Sequence, residues 1–367
     1  MTKPAFLALD TEFIRERTYY PQLCLVQVAA PTGEAILLDP ITGDDMSDLE
    51  EALFDPDVVK VFHAGRQDIE IFVKMFGRVP APIFDTQIAA MALGYGESVS
   101  YASLVADVCH HTIDKSQQFT DWSIRPLTAE QLAYGADDVL YLRTVYENFC
   151  ERLDRLGRRA WIDEEMAKLS DPSIYTVVPE EAWERIKIRS DKPPVLSVLR
   201  GLAAWREREA QRRDIPKGRI FKDDTLAEIA MTQPRTAQAL ARVRGFPSDL
   251  AEKHLGQSIL KVIEESLSVP REEMPRIERS KPFPPELQPA LEMLKMLLRI
   301  ECSEAGISPR LVADSDDLQA IAIKGDDPSI PAMQGWRREV FGQNALSLLS
   351  GGLALSVKNG KIIKTKS

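Results

Sequence analysis

Asp10 and Glu12 stand two residues apart inside an apolar run, Phe6 to Phe13, that reads as a β-strand. Successive side chains of a strand point to opposite faces, so the two carboxylates share one. Two like charges side by side on a buried strand raise the energy unless a cation neutralises them. Nothing basic is close before Arg15, which falls on the opposite face if the strand continues, so a metal ion is a candidate for the missing charge. Two other places put acids where a core is expected. Asp68 sits in "FHAGRQDIEIF", just after a strand and at a helix start. In "YGADDVLYL", Tyr134 and Asp138 are four apart on a long helix and share a face, while Asp137 points elsewhere. Asp10, Glu12, Asp68 and Asp138 could converge on one cleft.

Carboxylates and water are the ligands that Mg²⁺ and Mn²⁺ prefer. Three or four such groups can hold two divalent ions about 3.5–4 Å apart, the arrangement used for in-line displacement at phosphorus. Tyr134 could then orient and deprotonate the attacking water, its ordinary pKa of about 10 lowered by nearby cations. Each signal alone has an ordinary explanation. Asp-x-Glu is common on solvated strand faces, Asp68 suits a helix cap or the macrodipole, Tyr134 and Asp138 could be a surface pair, and His63 reads as a core histidine. The combination, in this order and in these contexts, is much harder to explain so.

The elements that must position these residues alternate between strand and helix patterns over the first ~165 residues. Strands are expected at Phe6 to Phe13, Leu23 to Ala29, Glu34 to Leu38 and Val58 to Ala64, and helices at Asp48 to Phe54 and Asp68 to Phe76. "IFDTQIAAMALG" starts extended and becomes helical. A long helix follows the loop from Thr112 to Pro126, and Thr128 with Gln131 has the form of a capping box. This predicts an α/β domain with its own core, whose first strands form an antiparallel meander. From about Pro193 strand patterns vanish and helical ones dominate. A Pro- and charge-rich stretch, Val269 to Pro289, divides two helical segments alike in outline: each opens with a long helix, then a basic turn residue (Lys217, Arg310), then an Asp pair. The expected organisation is a catalytic domain over 1–168, a linker over 169–191, a helical domain over 192–268, a linker over 269–281, a second helical domain over 282–357 and a basic tail over 358–367.

The chain has 367 residues, a net charge of −10, and four cysteines and four histidines with no zinc spacing. The cysteines read as reduced, mostly structural thiols, and the start of the chain lacks a signal-peptide pattern. No apolar run has the length of a membrane span. A cytoplasmic location is expected. The acidic balance argues against a simple electrostatic nucleic-acid binder but does not exclude local basic patches.

These motifs resemble those of the ribonuclease D family within the DEDD 3′–5′ exonucleases: "LDTEF", "HAGRQDIEIF" and "YGADDVLYL", the last in the Tyr-x3-Asp form of the DEDDy subgroup. "RTYYPQLCLVQVA", "DKSQQFTDWSIRPLT" and "FDTQIAAMALG" narrow the resemblance to this family over about residues 5–150. The helical remainder is similar to the family's HRDC modules, closely over 192–268 and only in outline over 281–357. The resemblance implies a ribonuclease H-like α/β domain with a mixed sheet, followed by two all-α HRDC-like domains. It implies Asp10, Glu12, Asp68 and Asp138 as ligands of two divalent ions, Mg²⁺ or Mn²⁺, and Tyr134 as the water-orienting residue. The implied reaction is hydrolytic trimming of RNA 3′ ends with release of nucleoside 5′-monophosphates, on tRNA precursors and other stable RNA. A monomer without an obligate protein partner is expected. A DNA 3′–5′ exonuclease and a non-catalytic RNA-binding scaffold are the competing readings; a scaffold would be expected to have lost one of the acids.

RNA contacts are expected from a local excess of basic residues between Arg200 and Lys222, with Arg212, Arg213, Lys217, Arg219 and Lys222 as candidates for phosphates. Lys115, Gln118 and Arg125, in the loop before the third motif, could line a path to the cleft. Trp122, Phe119, Tyr19 and Tyr20 are candidates for stacking on bases.

Overall fold

Strand β1 (Phe6–Ile14) is flanked by β2 (Gln22–Ala29) and β4 (Val59–Phe62) in a five-stranded mixed sheet. In the computed structural model, which describes residues 3–277 and 282–366, the strand order is β3-β2-β1-β4-β5, with β3 at Ile36–Leu38 and β5 at Ile83–Asp85. β2 and β3 pair antiparallel, whereas β1 with β4 and β4 with β5 pair parallel. The expected meander is therefore one half of a mixed sheet. Parallel strands need crossovers, here α1 (Ser47–Leu53) before β4 and α2 (Arg66–Phe76) before β5.

After β5 the chain turns into α3 (Thr86–Ala92), then α4 (Tyr101–Val108), the 27-residue α5 (Ala129–Arg155) and α6 (Arg159–Leu169). The capping box at the start of α5 is formed: the Thr128 hydroxyl accepts from Gln131 N, and the Gln131 side chain accepts from Thr128 N. α5 lies close on β2 because residue 135 is glycine; a Cβ there would stand 3.2 Å from Gln27 Nε2 and 3.4 Å from a Leu25 methyl. Phe6, Ala8, Val61 and Phe84 of the sheet pack with Val139, Leu142, Val145 and Phe149 of α5 in one buried cluster.

The chain divides into two compact units: Met1–Thr11, Leu25–Asp171 and Lys281–Ser367 form one, Glu12–Cys24 and Pro172–Ser280 the other. Residues 1, 2 and 367 and the end of the expected linker, 278–281, lie outside the described residues. The first unit thus joins the α/β domain to the C-terminal segment, which was expected to stand alone. Leu311, 2% exposed, belongs to the α/β core, and Trp336 packs against it. Trp161 of α6 stacks on Trp336, ring centres 4.4 Å apart and planes 6° off parallel, with the Arg158 and Arg337 guanidiniums each 4.9 Å from a ring. Arg158 donates to the carbonyls of Ala92 and Ala305, and Arg337 to Leu311 O and Glu164.

In the second unit, α7 (Pro193–Arg213), α8 (Lys217–Ile220), α9 (Asp223–Thr232), α10 (Ala237–Leu240) and α11 (His254–Ser268) surround their own core. Ile186, within the expected 169–191 linker, is buried in that core, and two 3₁₀ turns precede it. The C-terminal segment repeats the opening order, long helix, short helix, ten-residue helix, as α12 (Gln288–Ala305), α13 (Pro309–Val312) and α14 (Ser315–Lys324). It continues through α15 (Gly335–Arg337), a π turn (Arg338–Gly342) and α16 (Gln343–Leu349). Where a basic tail was expected, β6 (Leu353–Lys358) and β7 (Lys361–Lys366) form an antiparallel hairpin.

Candidate active site

Asp10 and Glu12 extend from one face of β1, as strand alternation requires, and α5 brings Asp138 to them. Carboxylate oxygens of Asp10, Glu12 and Asp138 all lie within 4.8 Å of one another. Thr11, between the two acids, points to the opposite, buried face, where its hydroxyl donates to Asp68 Oδ1 at 2.5 Å. Asp68 is therefore close to the motif but outside the three-carboxylate group. It occupies the first turn of α2, 7% exposed.

Burial sets the electrostatics of the site. It pushes the Asp138 carboxyl up to about 7, against a hydrogen bond from Tyr134 that favours the charged form. Asp68 rises to about 6, again through burial, opposed by the Thr11 hydroxyl. Without a cation Asp138 thus keeps its proton up to about neutral pH and Asp68 up to mildly acidic pH. A hard divalent cation, whose preferred ligands are carboxylate oxygens, fits this donor set. Its charge would return the carboxyls to the ionised form.

Tyr134 lies one turn before Asp138, as the Tyr-x3-Asp spacing requires, and its ring stands 6.0 Å from that of Trp122. Tyr101, which sequence reasoning did not single out, donates its hydroxyl to Asp138 O at 2.5 Å and Asp137 O at 3.2 Å, buttressing the catalytic turn of α5 from α4. Only its position in the first turn of an apolar helix hinted at a packing role. His63 is bonded to the Thr86 hydroxyl at 3.0 Å and held below its ordinary pKa chiefly by burial, in keeping with a core histidine.

The outlying candidates separate into two groups. Lys115 and Gln118 are exposed, and Phe119 is 92% exposed. Trp122 is 2% exposed, so the expected stacking on bases is corrected: its ring is part of the packing behind Tyr134. Arg125 forms a two-pronged bond to Asp39, Nε at 2.6 Å and Nη2 at 2.8 Å, and is likewise a fastening of the loop. In the second unit, Arg212 and Arg213 are exposed but paired with Glu209, Lys217 lies 3.7 Å from Glu207, and Arg219 and Lys222 are exposed. Arg206, counted in the same basic stretch, is 1% exposed and paired with Asp223. Tyr19 is committed too: its hydroxyl donates to Glu207, and its backbone N–H and that of Tyr20 donate to Asp214 at 3.0 and 3.1 Å.

Comparison with known proteins agrees with this geometry. Residues 2–154 match the family model described as 3′–5′ exonuclease, and residues 195–263 the HRDC domain. The chain is 46% identical over 363 residues to the ribonuclease D of Gluconacetobacter diazotrophicus, covering 99% of this chain and 92% of that one. It is 44% identical over 368 residues to that of Zymomonas mobilis, covering 100% and 94%. The crystal structure of Escherichia coli RNase D, described as an exoribonuclease involved in structured RNA processing, superimposes with a TM-score of 0.78 at 30% identity, over 95% of this chain and 94% of that one. An α/β sheet presenting clustered carboxylates, an HRDC domain following it in the chain and likeness along nearly the whole length leave one assignment: the chain belongs to the ribonuclease D family of 3′–5′ exoribonucleases.

Proposed function

We propose that the chain trims 3′ extensions from structured RNA in the cytoplasm, tRNA precursors among them, as a monomer, releasing nucleoside 5′-monophosphates. The observation that carries the reading is the approach of Asp10 and Glu12 of β1 and Asp138 of α5 to within 4.8 Å of one another, with burial disfavouring the charged form of Asp138. Asp10, Glu12 and Asp138 hold divalent ions, with Asp68 completing the set; two ions, Mg²⁺ or Mn²⁺, are the expected complement. When bound, they supply activation of a water and stabilisation of the departing 3′-oxygen. Tyr134, whose hydroxyl donates to Asp138, orients the attacking water; as the tyrosinate, which divalent cations bound beside it would favour, it would take up that water's proton. Exposed Lys115, Gln118 and Phe119 contact the strand approaching the site, and Arg212, Arg213, Lys217, Arg219 and Lys222 contact phosphates of the RNA body without reading sequence.

The test is a comparison of 3′-extended tRNA with a DNA strand of the same sequence, each with Mg²⁺, Mn²⁺ or EDTA. The RNA is expected to shorten stepwise with either ion and the DNA much more slowly. Equal rates on both would favour a DNA exonuclease. Binding of the RNA without shortening would favour a scaffold.

A further inference from the structure

Asp85 ends β5 and is 2% exposed. Its carboxylate accepts four backbone N–H bonds from two separate segments. Oδ1 accepts from Gln87 N at 2.8 Å and Ile88 N at 3.3 Å, which caps α3, and also from Ala64 N at 3.1 Å. Oδ2 accepts from Gly65 N at 2.8 Å. Capping α3 explains the first two bonds. It does not explain the other two, which reach across to the turn between β4 and α2.

That turn is held in an unusual shape. Ala64 is in the left-handed region, φ 55°. Gly65 caps α2, and a Cβ on it would stand 2.3 Å from Phe62 Cβ, so the backbone passes closer to β4 than any other residue allows. Asp68 follows three residues later in the first turn of α2. A left-handed alanine costs about 1–3 kcal/mol and persists only where its surroundings enforce it; here the enforcing group is the Asp85 carboxylate.

We propose that Asp85 is a positioning residue for the catalytic centre: by binding the N–H groups of Ala64 and Gly65 it fixes the start of α2 and so the place of Asp68. The inference rests on the reading of Asp68 as a member of the metal-binding set. Asp85 touches neither metal nor substrate in this role. Residues that orient the ligands of a metal typically contribute about 10–100-fold to metal affinity or activity.

The two oxygens serve the turn unequally, Oδ1 capping α3 as well as holding Ala64 N and Oδ2 holding Gly65 N alone, which makes the proposal testable on the full-length protein. Asp85→Asn can keep its carbonyl oxygen where Oδ1 is, retaining the cap on α3 and the bond from Ala64 N, but sets an NH₂ group against Gly65 N–H and so breaks that half of the hold on the turn. Asp85→Ser keeps a good capping hydroxyl and is too short to reach the turn. Calorimetric titration with Mn²⁺ and steady-state turnover on a short RNA oligomer are read on whichever variant melts cooperatively. The expected result is Mn²⁺ affinity and kcat lowered about 10-fold or more, with KM within about twofold of the parent. A lower Tm with unchanged Mn²⁺ affinity and kcat would reduce Asp85 to a helix cap and overturn the proposal. Asp68→Asn is the control: if it retains parental Mn²⁺ affinity and turnover, the assignment of Asp68 is what has failed. If it loses both while the Asp85 variants keep both, the positioning role is what has failed.

Discussion

Asp138 combines deep burial with a charge that the chemistry needs. Its carboxyl sits at about 7 in the metal-free protein and near 3.9 in an unfolded chain. The folded state therefore holds the extra proton between about pH 4 and 7, and stability falls as pH rises through that window. Asp68, raised to about 6, acts in the same direction. Metal-free protein is expected to melt at a higher temperature at pH 5 than at pH 8 in this respect, and Mg²⁺ or Mn²⁺ should reduce the difference. Asp138→Asn should raise the metal-free stability at pH 8, by at most about 4 kcal/mol for a three-unit shift, while abolishing turnover. Thermal melts of both proteins at the two pH values, with EDTA and with Mn²⁺, check this; a metal-free variant less stable than its parent at pH 8 would contradict it. Tyr134→Phe removes one hydroxyl and little volume. Single-turnover hydrolysis should slow by about 10²–10⁴-fold, and RNA affinity should stay within a few-fold. An unchanged rate would exclude Tyr134 from the chemical step.

At the scale of elements, the stack of Trp161 on Trp336 fastens the C-terminal segment to α6. Trp336→Ala removes the ring face that Trp161 and the Arg337 guanidinium share. Because Trp336 is only partly buried, the cost should fall below the ~3–5 kcal/mol of a fully buried tryptophan, roughly 1–3 kcal/mol. Denaturant unfolding of the full chain measures it, and no change in midpoint would mean the segment is held by other contacts. This contact was not legible in the sequence, because nothing local relates residues 161 and 336. The same holds for the bonds of Asp85 to Ala64 and Gly65, which join segments twenty residues apart. By contrast, the Thr128–Gln131 cap, the strand holding Asp10 and Glu12, and the Tyr134–Asp138 spacing were legible because each is a short-range pattern. The final hairpin was legible but missed. "VKNGKI" places Asn-Gly between alternating residues, and Asn359 and Gly360 take φ of 52° and 73°, as a two-residue hairpin turn demands. Its lysines drew the reading toward a charged tail.

At the scale of the whole molecule, an acidic chain must hold a polyanion through local surfaces. Lys217, Arg219 and Lys222 stand exposed on and beside α8, in a chain of net charge −10. Replacing all three with alanine should weaken tRNA binding and flatten its dependence on salt, by about 2 in the slope of log K against log[salt] if each meets one phosphate. Cleavage of a short single strand should change little. An unchanged slope would take these residues out of the RNA contact. The C-terminal segment has a different part, since Leu311 lies in the α/β core and Trp336 packs against it. The α/β domain thus completes its core with residues far along the chain, which the alternating pattern of the first ~165 residues could not reveal.

The central claim is that clustered carboxylates on β1 and α5 run a metal-dependent 3′–5′ exoribonuclease. The most direct measurement follows a 5′-labelled RNA with Mn²⁺, for the parent and for Asp138→Asn, and identifies the mononucleotide released. A ladder that shortens only from the 3′ end, nucleoside 5′-monophosphate as product, and no shortening by Asp138→Asn are the predicted results. Shortening by Asp138→Asn at the parental rate, or release of nucleoside 3′-monophosphate, would contradict the claim.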